Sequence, residues 1–200
     1  MGLKRPTNPS HSIVIPLAAI QSLGLISEIS VVTSQALSGA GYPGVSAMDI
    51  LDNVVPFISG EEDKLEPEAQ KILGGLNTAS DSKPFEARED LKISATCTRV
   101  NVTDGHMAFV SIRFKNRDNV PTVPQIKGAL TNYKSEAQEL GCPSAPQQAI
   151  QVLEGQDRPQ PRLDRDRGGG YSVSVGRVRD DPSGLFDCQF VCLSHNSKPF

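Results

Sequence analysis

Residues 92–115 read Lys-Ile-Ser-Ala-Thr-Cys-Thr-Arg-Val-Asn-Val-Thr-Asp-Gly-His-Met-Ala-Phe-Val-Ser-Ile-Arg-Phe-Lys. Two strand-like runs, Ile93 to Val102 and His106 to Lys115, flank Thr103-Asp104-Gly105. Asp-Gly between alternating runs is a strong hairpin signal, and the stretch predicts one. In a two-residue hairpin, position 103 faces 106 and position 99 faces 110, so Arg99, Thr103 and His106 share one face of a sheet. Arg99 then lies about 13 Å along the strand from the rung of His106. A guanidinium and an imidazole so placed can grip opposite ends of one small acidic ligand. The plainer alternative is an exposed turn histidine and a surface arginine.

Working outward, Ile13 to Leu23 carries apolar residues at helical spacing and stops at Gly24. Ile29-Ser30-Val31-Val32-Thr33 reads as a strand, followed by the glycine-rich turn Ser38 to Gly44. Glu61 to Leu76 predicts a helix with acids at the positive end of its dipole and Pro67 as a kink. Residues 77–90 read as a polar link. Thr122 caps a helix running to Leu140, and Ser144 caps a shorter one through Leu153. The stretch 156–170, rich in arginine and aspartate, reads as a loop, either a solvated surface or a subunit contact. Two last strands, Tyr171 to Val178 and Phe186 to Leu193, form a second hairpin. Val173, Val175 and Val178 set against Ser172 and Ser174 fit a half-buried strand. The order predicts an α+β fold: a mixed β-sheet of about five strands with helices on one face. The other face then meets water or a second subunit. The domain division predicted is a polar remnant over residues 1–12 and a single domain over 13–200.

Composition narrows the function classes. The chain has 200 residues, 38% hydrophobic and 22% charged, with a net charge of −3. That is an ordinary globular balance, with no general drive toward nucleic acid or an anionic membrane. The longest apolar run, Ile13 to Ile20, is broken by Pro16 and falls far short of the ~20 residues that cross a bilayer. Met1-Gly2 opens like an acylation signal, but Pro6 stands where Ser or Thr is wanted. No secretion signal is visible, so a cytoplasmic protein is expected. The four cysteines (97, 142, 188 and 192) form no CxxC, and the three histidines are scattered. No disulfide scaffold and no metal site are expected.

Glu61 and Lys64 share one face of a helix start, where an ordinary surface pair is the default. The Ser38–Gly44 turn offers backbone N–H groups to an anion, but no phosphate-loop lysine follows and GxGxxG is absent.

Taken together, several stretches resemble the aspartate-β-semialdehyde dehydrogenase family, fungal and archaeal branch. They are Ser34-Gln35-Ala36-Leu37-Ser38-Gly39-Ala40-Gly41-Tyr42-Pro43-Gly44-Val45, Asp52-Asn53-Val54-Val55-Pro56-Phe57-Ile58, Gly60-Glu61-Glu62-Asp63-Lys64, Arg99 through His106, and Ser194-His195-Asn196. The similarity covers nearly the whole chain. It implies the catalytic and dimerisation domain of a two-domain enzyme that reduces aspartyl phosphate with NADP through a cysteine thioester. By resemblance, Gln35 orients the intermediate and His106 is the acid/base. Arg99 holds the substrate carboxylate, Glu61 binds the amine and Lys64 the phosphate.

The sequence also departs from the family. The nucleotide domain has no counterpart in it. The nucleophile motif Asn-Cys-Ser-Thr corresponds to Asn8-Pro9-Ser10-His11-Ser12, without cysteine. A serine hydroxyl does not replace a thiolate in thioester chemistry. The Arg-Gly-Ala-Ala helix after His-Asn is also absent. The expectation is therefore a stand-alone domain, without a cofactor, turned to non-redox acid/base chemistry of cyclase, isomerase or dehydratase type. Its substrate would be a small polar metabolite with an anionic group, in specialised-metabolite biosynthesis, and its assembly a homodimer. Two alternatives stand beside it: a non-catalytic dimerising relative, and an incomplete NADP-dependent aspartate-semialdehyde dehydrogenase.

Overall fold

The strand Ile26–Gln35 alternates buried Ile29, Val31, Thr33 and Gln35 with more exposed Ser30, Val32 and Ser34. This period-two pattern gives the strand one core-facing side. It is the structural centre of the computed structural model, which describes residues 8–76 and 85–198. In chain order the elements are α1 (Asn8–Gln21), β1 (Ile26–Gln35), α2 (Ala47–Ile50), β2 (Val54–Val55), α3 (Glu62–Ile72), β3 (Gly75–Leu76), β4 (Phe85–Glu86), β5 (Lys92–Val100), β6 (His106–Phe114), α4 (Val123–Asn132), α5 (Glu136–Glu139), β7 (Ile150–Leu153), α6 (Pro161–Asp164), β8 (Val173–Asp180) and β9 (Cys188–Ser194). Short 3-10 turns occupy Leu37–Ala40 and Arg167–Gly170. Seven strands form one sheet in the order β2-β5-β1-β6-β9-β8-β7, and β3 pairs with β4 apart from it. The fold is the expected α+β mixed sheet, with two more strands than the residue pattern predicted.

The predicted hairpin of residues 93–115 does not form. β1 lies between its two arms, parallel to β5 and antiparallel to β6. Gly105 adopts a positive φ of 100°, but Asp104 is not among the residues with positive φ, so the two-residue hairpin turn is absent. Asp-Gly specifies a reversal but not what fills the space between the arms. Here β1 fills it, and the chain leaving β1 ties into the connecting loop through Leu37 N–H to Val102 O (2.7 Å) and Ser38 N–H to Thr103 O (3.1 Å). The second hairpin does form, with β8 antiparallel to β9.

α1, α3 and α4 cover one face, with Ile13, Leu17, Ile20, Leu65, Ile126 and Leu130 packed against Val31, Val110, Ile112 and Phe190. Each fully buried aliphatic or aromatic side chain of this kind contributes about 1.5–3 kcal/mol. The opposite face of the central strands stays open. Val32 and Phe109 pair across it and remain 41% and 44% exposed. A cleft of about 590 Å³ lies there, lined among others by Ser30, Met107, Phe109, Arg177 and Gln189.

Other boundaries moved for local reasons. α1 begins at Asn8, so residues 8–12, read as part of a polar remnant, start the helix. The helix expected from Thr122 to Leu140 ends at Asn132, because Ser135 and Gln138 form a second capping box that starts α5. The helix expected from Ser144 to Leu153 is absent: Ile150 and Val152 instead pair parallel with Val173 and Val175. α3 ends at Ile72 rather than Leu76. Most of the link over 77–90 lies outside the described residues. The arginine and aspartate loop keeps residues such as Asp157, Arg162 and Asp166 exposed but folds around one buried carboxylate. Buried Asp164 accepts hydrogen bonds from Arg158, from Arg167 Nε (2.8 Å) and from the Gln160 amide (2.8 Å). Under it Ser172 and Ser174 are buried, so residues 173–176 of β8 are covered on both sides, while the second half of the strand keeps Arg177 and Arg179 exposed.

Candidate active site

Three strands bring the site together. Gln35 ends β1 and pairs with Arg99 on β5. Ser34 pairs with Met107, so the next step of the same ladder sets Gln35 opposite His106, the first residue of β6. Arg99, Gln35 and His106 therefore stand side by side on the helix-covered face. The hairpin register also put Arg99 and His106 on one face. The inserted strand makes them lateral neighbours instead of residues separated along a ribbon.

All three are buried, with Gln35 2%, Arg99 6% and His106 2% exposed. Neither the histidine nor the arginine is the exposed residue that the plainer alternative described. The Nη1 of Arg99 donates to Ala36 O at 2.7 Å, and the Ala36 amide donates to His106 Nδ1 at 3.0 Å. The backbone of one residue after β1 thus fixes both side chains. Burial, with the Arg99 guanidinium next to it, pushes His106 down to about 3, against a smaller opposite pull from Asp104. Burial also lowers Arg99, while Glu61 and Cys97 favour its charged form.

Glu61 joins through Gln35, whose Nε2 donates to Glu61 Oε2 at 3.3 Å. Lys64 reaches the other carboxylate oxygen at 3.5 Å and keeps its own side chain half exposed. The five residues singled out from the sequence thus form one chain. It runs from the buried row of Arg99, Gln35 and His106, through Gln35 to Glu61, and on to Lys64 at the rim. A buried guanidinium and imidazole beside a carboxylate and an ammonium can sort the ends of a small zwitterionic acid.

Other residues of the site were not predicted. Gly39 lies so close that a Cβ on it would stand 2.8 Å from His106 Nε2 and 2.9 Å from Arg99 Nη1. Asn196 Oδ1 accepts from the Gly105 amide at 2.8 Å, and its Nδ2 donates to Ser38 Oγ at 2.6 Å. It ties the turn before His106 to the turn carrying Gly39. The glycine-rich turn and the Ser194-His195-Asn196 stretch were visible as motifs. Their approach to His106 depends on pairing across the sheet. Ser10, at the start of α1, donates to Glu68 Oε2 at 2.7 Å, and Ser12 is also buried. Of the cysteines, Cys97, Cys188 and Cys192 are buried in strands and Cys142 is exposed. Burial pushes the Cys188 and Cys192 thiols up to about 12. Among the described residues no group of three or more His, Cys, Asp or Glu is placed to hold a metal ion. None of their helices is long and apolar enough to cross a membrane.

A mixed sheet with one helix-covered face and one open face is the architecture of a semialdehyde dehydrogenase dimerisation domain. The family profile of that description matches residues 16–197. The chain is 61% identical over 187 residues to an aspartate-semialdehyde dehydrogenase of Aspergillus fumigatus, covering 92% of this chain and 51% of that protein. Against the enzyme of Saccharomyces cerevisiae the identity is 51%, covering 92% and 50%. The crystal structure of the Candida albicans aspartate semialdehyde dehydrogenase with NADP superposes with a TM-score of 0.85 at 49% identity, covering 96% of this chain and 52% of that one. The chain belongs to the aspartate-semialdehyde dehydrogenase family, and it spans about half the length of these relatives.

Proposed function

We propose that this chain is the substrate-binding and dimerising half of an NADP-dependent aspartate-semialdehyde dehydrogenase, working with a nucleotide-binding half. The observation that carries the reading is the lateral row Arg99–Gln35–His106, with Glu61 bonded to Gln35. Arg99 grips the substrate carboxylate, Glu61 takes the amine, Gln35 orients the reacting carbonyl and Lys64 meets the phosphate at the rim. NADPH, when bound by the other half, would supply the hydride for reduction, and NADP would accept it in the reverse direction. This reading replaces the stand-alone cyclase, isomerase or dehydratase and the specialised-metabolite setting, for which neither the site nor the relatives offer support. Two chains associate through the open face around Val32 and Phe109, and the site of action is the cytoplasm.

The test is a chimera in which the part of the Aspergillus relative that precedes the matched region replaces residues 1–12. NADP-linked oxidation of aspartate semialdehyde in phosphate, lost in the Arg99→Ala form, is expected. A folded, dimeric chimera with no turnover would remove the proposal.

A further inference from the structure

Side chains on one face of α3 tie the helix along the outer edge of β5. Glu62 Oε1 accepts from the Cys97 amide at 2.9 Å, and Glu66 Oε1 from the Ala95 amide at 3.0 Å. One turn further, Gln70 Nε2 donates to Leu91 O at 2.8 Å. Helix and strand keep step over the first two of these bonds, because one helical turn of four residues advances about 6 Å and two strand residues about 6.6 Å. The bond nearest the site is that of Glu62. It joins the residue after Glu61 to Cys97, which precedes Arg99 by one full strand repeat. The pairing of β5 with β2 covers only Arg99 and Val100, so Glu62 takes over the edge where that pairing ends. Glu62 is thereby committed to a backbone amide. Glu61, about 100° away around the helix axis, is left to meet Gln35 Nε2 at 3.3 Å.

We propose that Glu62 is a positioning residue for recognition of the substrate amine: its bond to β5 holds Glu61 at the separation from Arg99 that an α-amino acid head group needs. This deepens the proposed function and rests on it for the identity of the ligand. An amine and a carboxylate on one carbon stand at a fixed separation, so the groups that read them must be held apart by a fixed amount too. Arg99 is fixed by its bond to Ala36 O. Glu61 lies at the first turn of α3, where a helix frays most readily, and the Glu62 tie is what keeps that turn on the strand.

The experiment has two arms. In the first, L-aspartate and succinate, which has the same carbon chain without the amine, are titrated into wild type and three variants. Glu62→Ala removes the tie, Glu62→Gln keeps a carbonyl oxygen that accepts from Cys97, and Glu66→Ala loses the same kind of bond one turn away from the site. Glu62→Ala is expected to weaken L-aspartate by roughly tenfold and succinate by less than about twofold, with Glu62→Gln within about threefold of wild type for both. Glu66→Ala is expected to leave both ligands within about twofold, although it removes a comparable edge bond. An unchanged preference for L-aspartate in Glu62→Ala, or the same loss of preference in Glu66→Ala, would overturn the proposal. So would wild type that takes both ligands equally. The second arm needs no ligand. In 15N-labelled protein the side-chain amide resonances of Gln35 report its bond to Glu61. Glu62→Ala is expected to move them toward their positions in Glu61→Ala, with Glu66→Ala leaving them in place. Unmoved Gln35 resonances in Glu62→Ala would also overturn it. Failure of wild type to bind L-aspartate would count against the proposed function, with the positioning role then decided by this second arm.

Discussion

Gly39 lies against the ring of His106 so closely that a Cβ on it would stand 2.8 Å from both Cε1 and Nε2. Neither the ring nor Arg99 can retreat cheaply, because each is bonded to Ala36. Gly39→Ala is therefore expected to weaken L-aspartate binding by tenfold or more and to cost about 1–3 kcal/mol of stability. Calorimetric titration and urea unfolding check the two effects. Unchanged binding would mean that this approach is not part of the site.

The outer edge of β5 is protected by α3. Glu66 Oε1 accepts from the Ala95 amide at 3.0 Å, and Glu62 Oε1 from the Cys97 amide at 2.9 Å. One helical turn separates the two glutamates and the amides are two positions apart, so one helix face caps alternate donors of β5 beyond its short pairing with β2. Glu62→Ala and Glu66→Ala are each expected to destabilise by about 1–3 kcal/mol, and the double variant to aggregate. Urea midpoints and light scattering give the measure.

Two buried groups set the acid side of the stability profile. His106 is held at about 3 when folded, so the unfolded chain binds a proton first as pH falls below the ordinary histidine value. Stability then drops by about 2 kcal/mol between neutrality and pH 5, and His106→Gln flattens this limb. Burial of Asp164 favours its protonated form. Hydrogen bonds from Arg158, Arg167 and the Gln160 amide outweigh that and hold it at about 2. Its contribution of roughly 2 kcal/mol is present above the unfolded carboxyl value and lost as pH falls from there toward 2. Asp164→Asn removes that second limb. Unfolding curves from pH 7 to pH 2 separate the two.

The open face has apolar Val32 and Phe109 paired at its centre. Phe109→Asp is expected to convert dimer to monomer in sedimentation velocity while leaving L-aspartate binding within about twofold, since distant sites act nearly independently. A dimer that survives the substitution would place the interface elsewhere.

The strand patterns of residues 93–100 and 106–114 were legible because alternation and an Asp-Gly turn are local signals. The insertion of β1 between them was not, since no local signal records which distant strand fills a gap. That Arg99 and His106 share a face followed from strand periodicity alone. That Gln35 stands between them, and that Ala36 bonds to both, followed only from the register of β1. Ser144 to Leu153 misled because a capping serine and a short apolar run fit helix and strand equally. Asp164 looked solvated because charge-rich sequence does not show which carboxylate its arginines enclose. The roles given to Glu61 and Lys64 came from family resemblance, and the geometry adds the link through Gln35.

The account rests on Arg99 as the grip for a substrate carboxylate. The most direct measurement is calorimetric titration of L-aspartate into wild type, Arg99→Lys and, as a control on the open face, Arg177→Ala. Lysine keeps the charge but loses the guanidinium fork that reaches Ala36 O, so binding is expected to weaken by roughly tenfold or more, with Arg177→Ala unchanged. Wild-type affinity in Arg99→Lys, or loss of binding only in Arg177→Ala, would contradict the account.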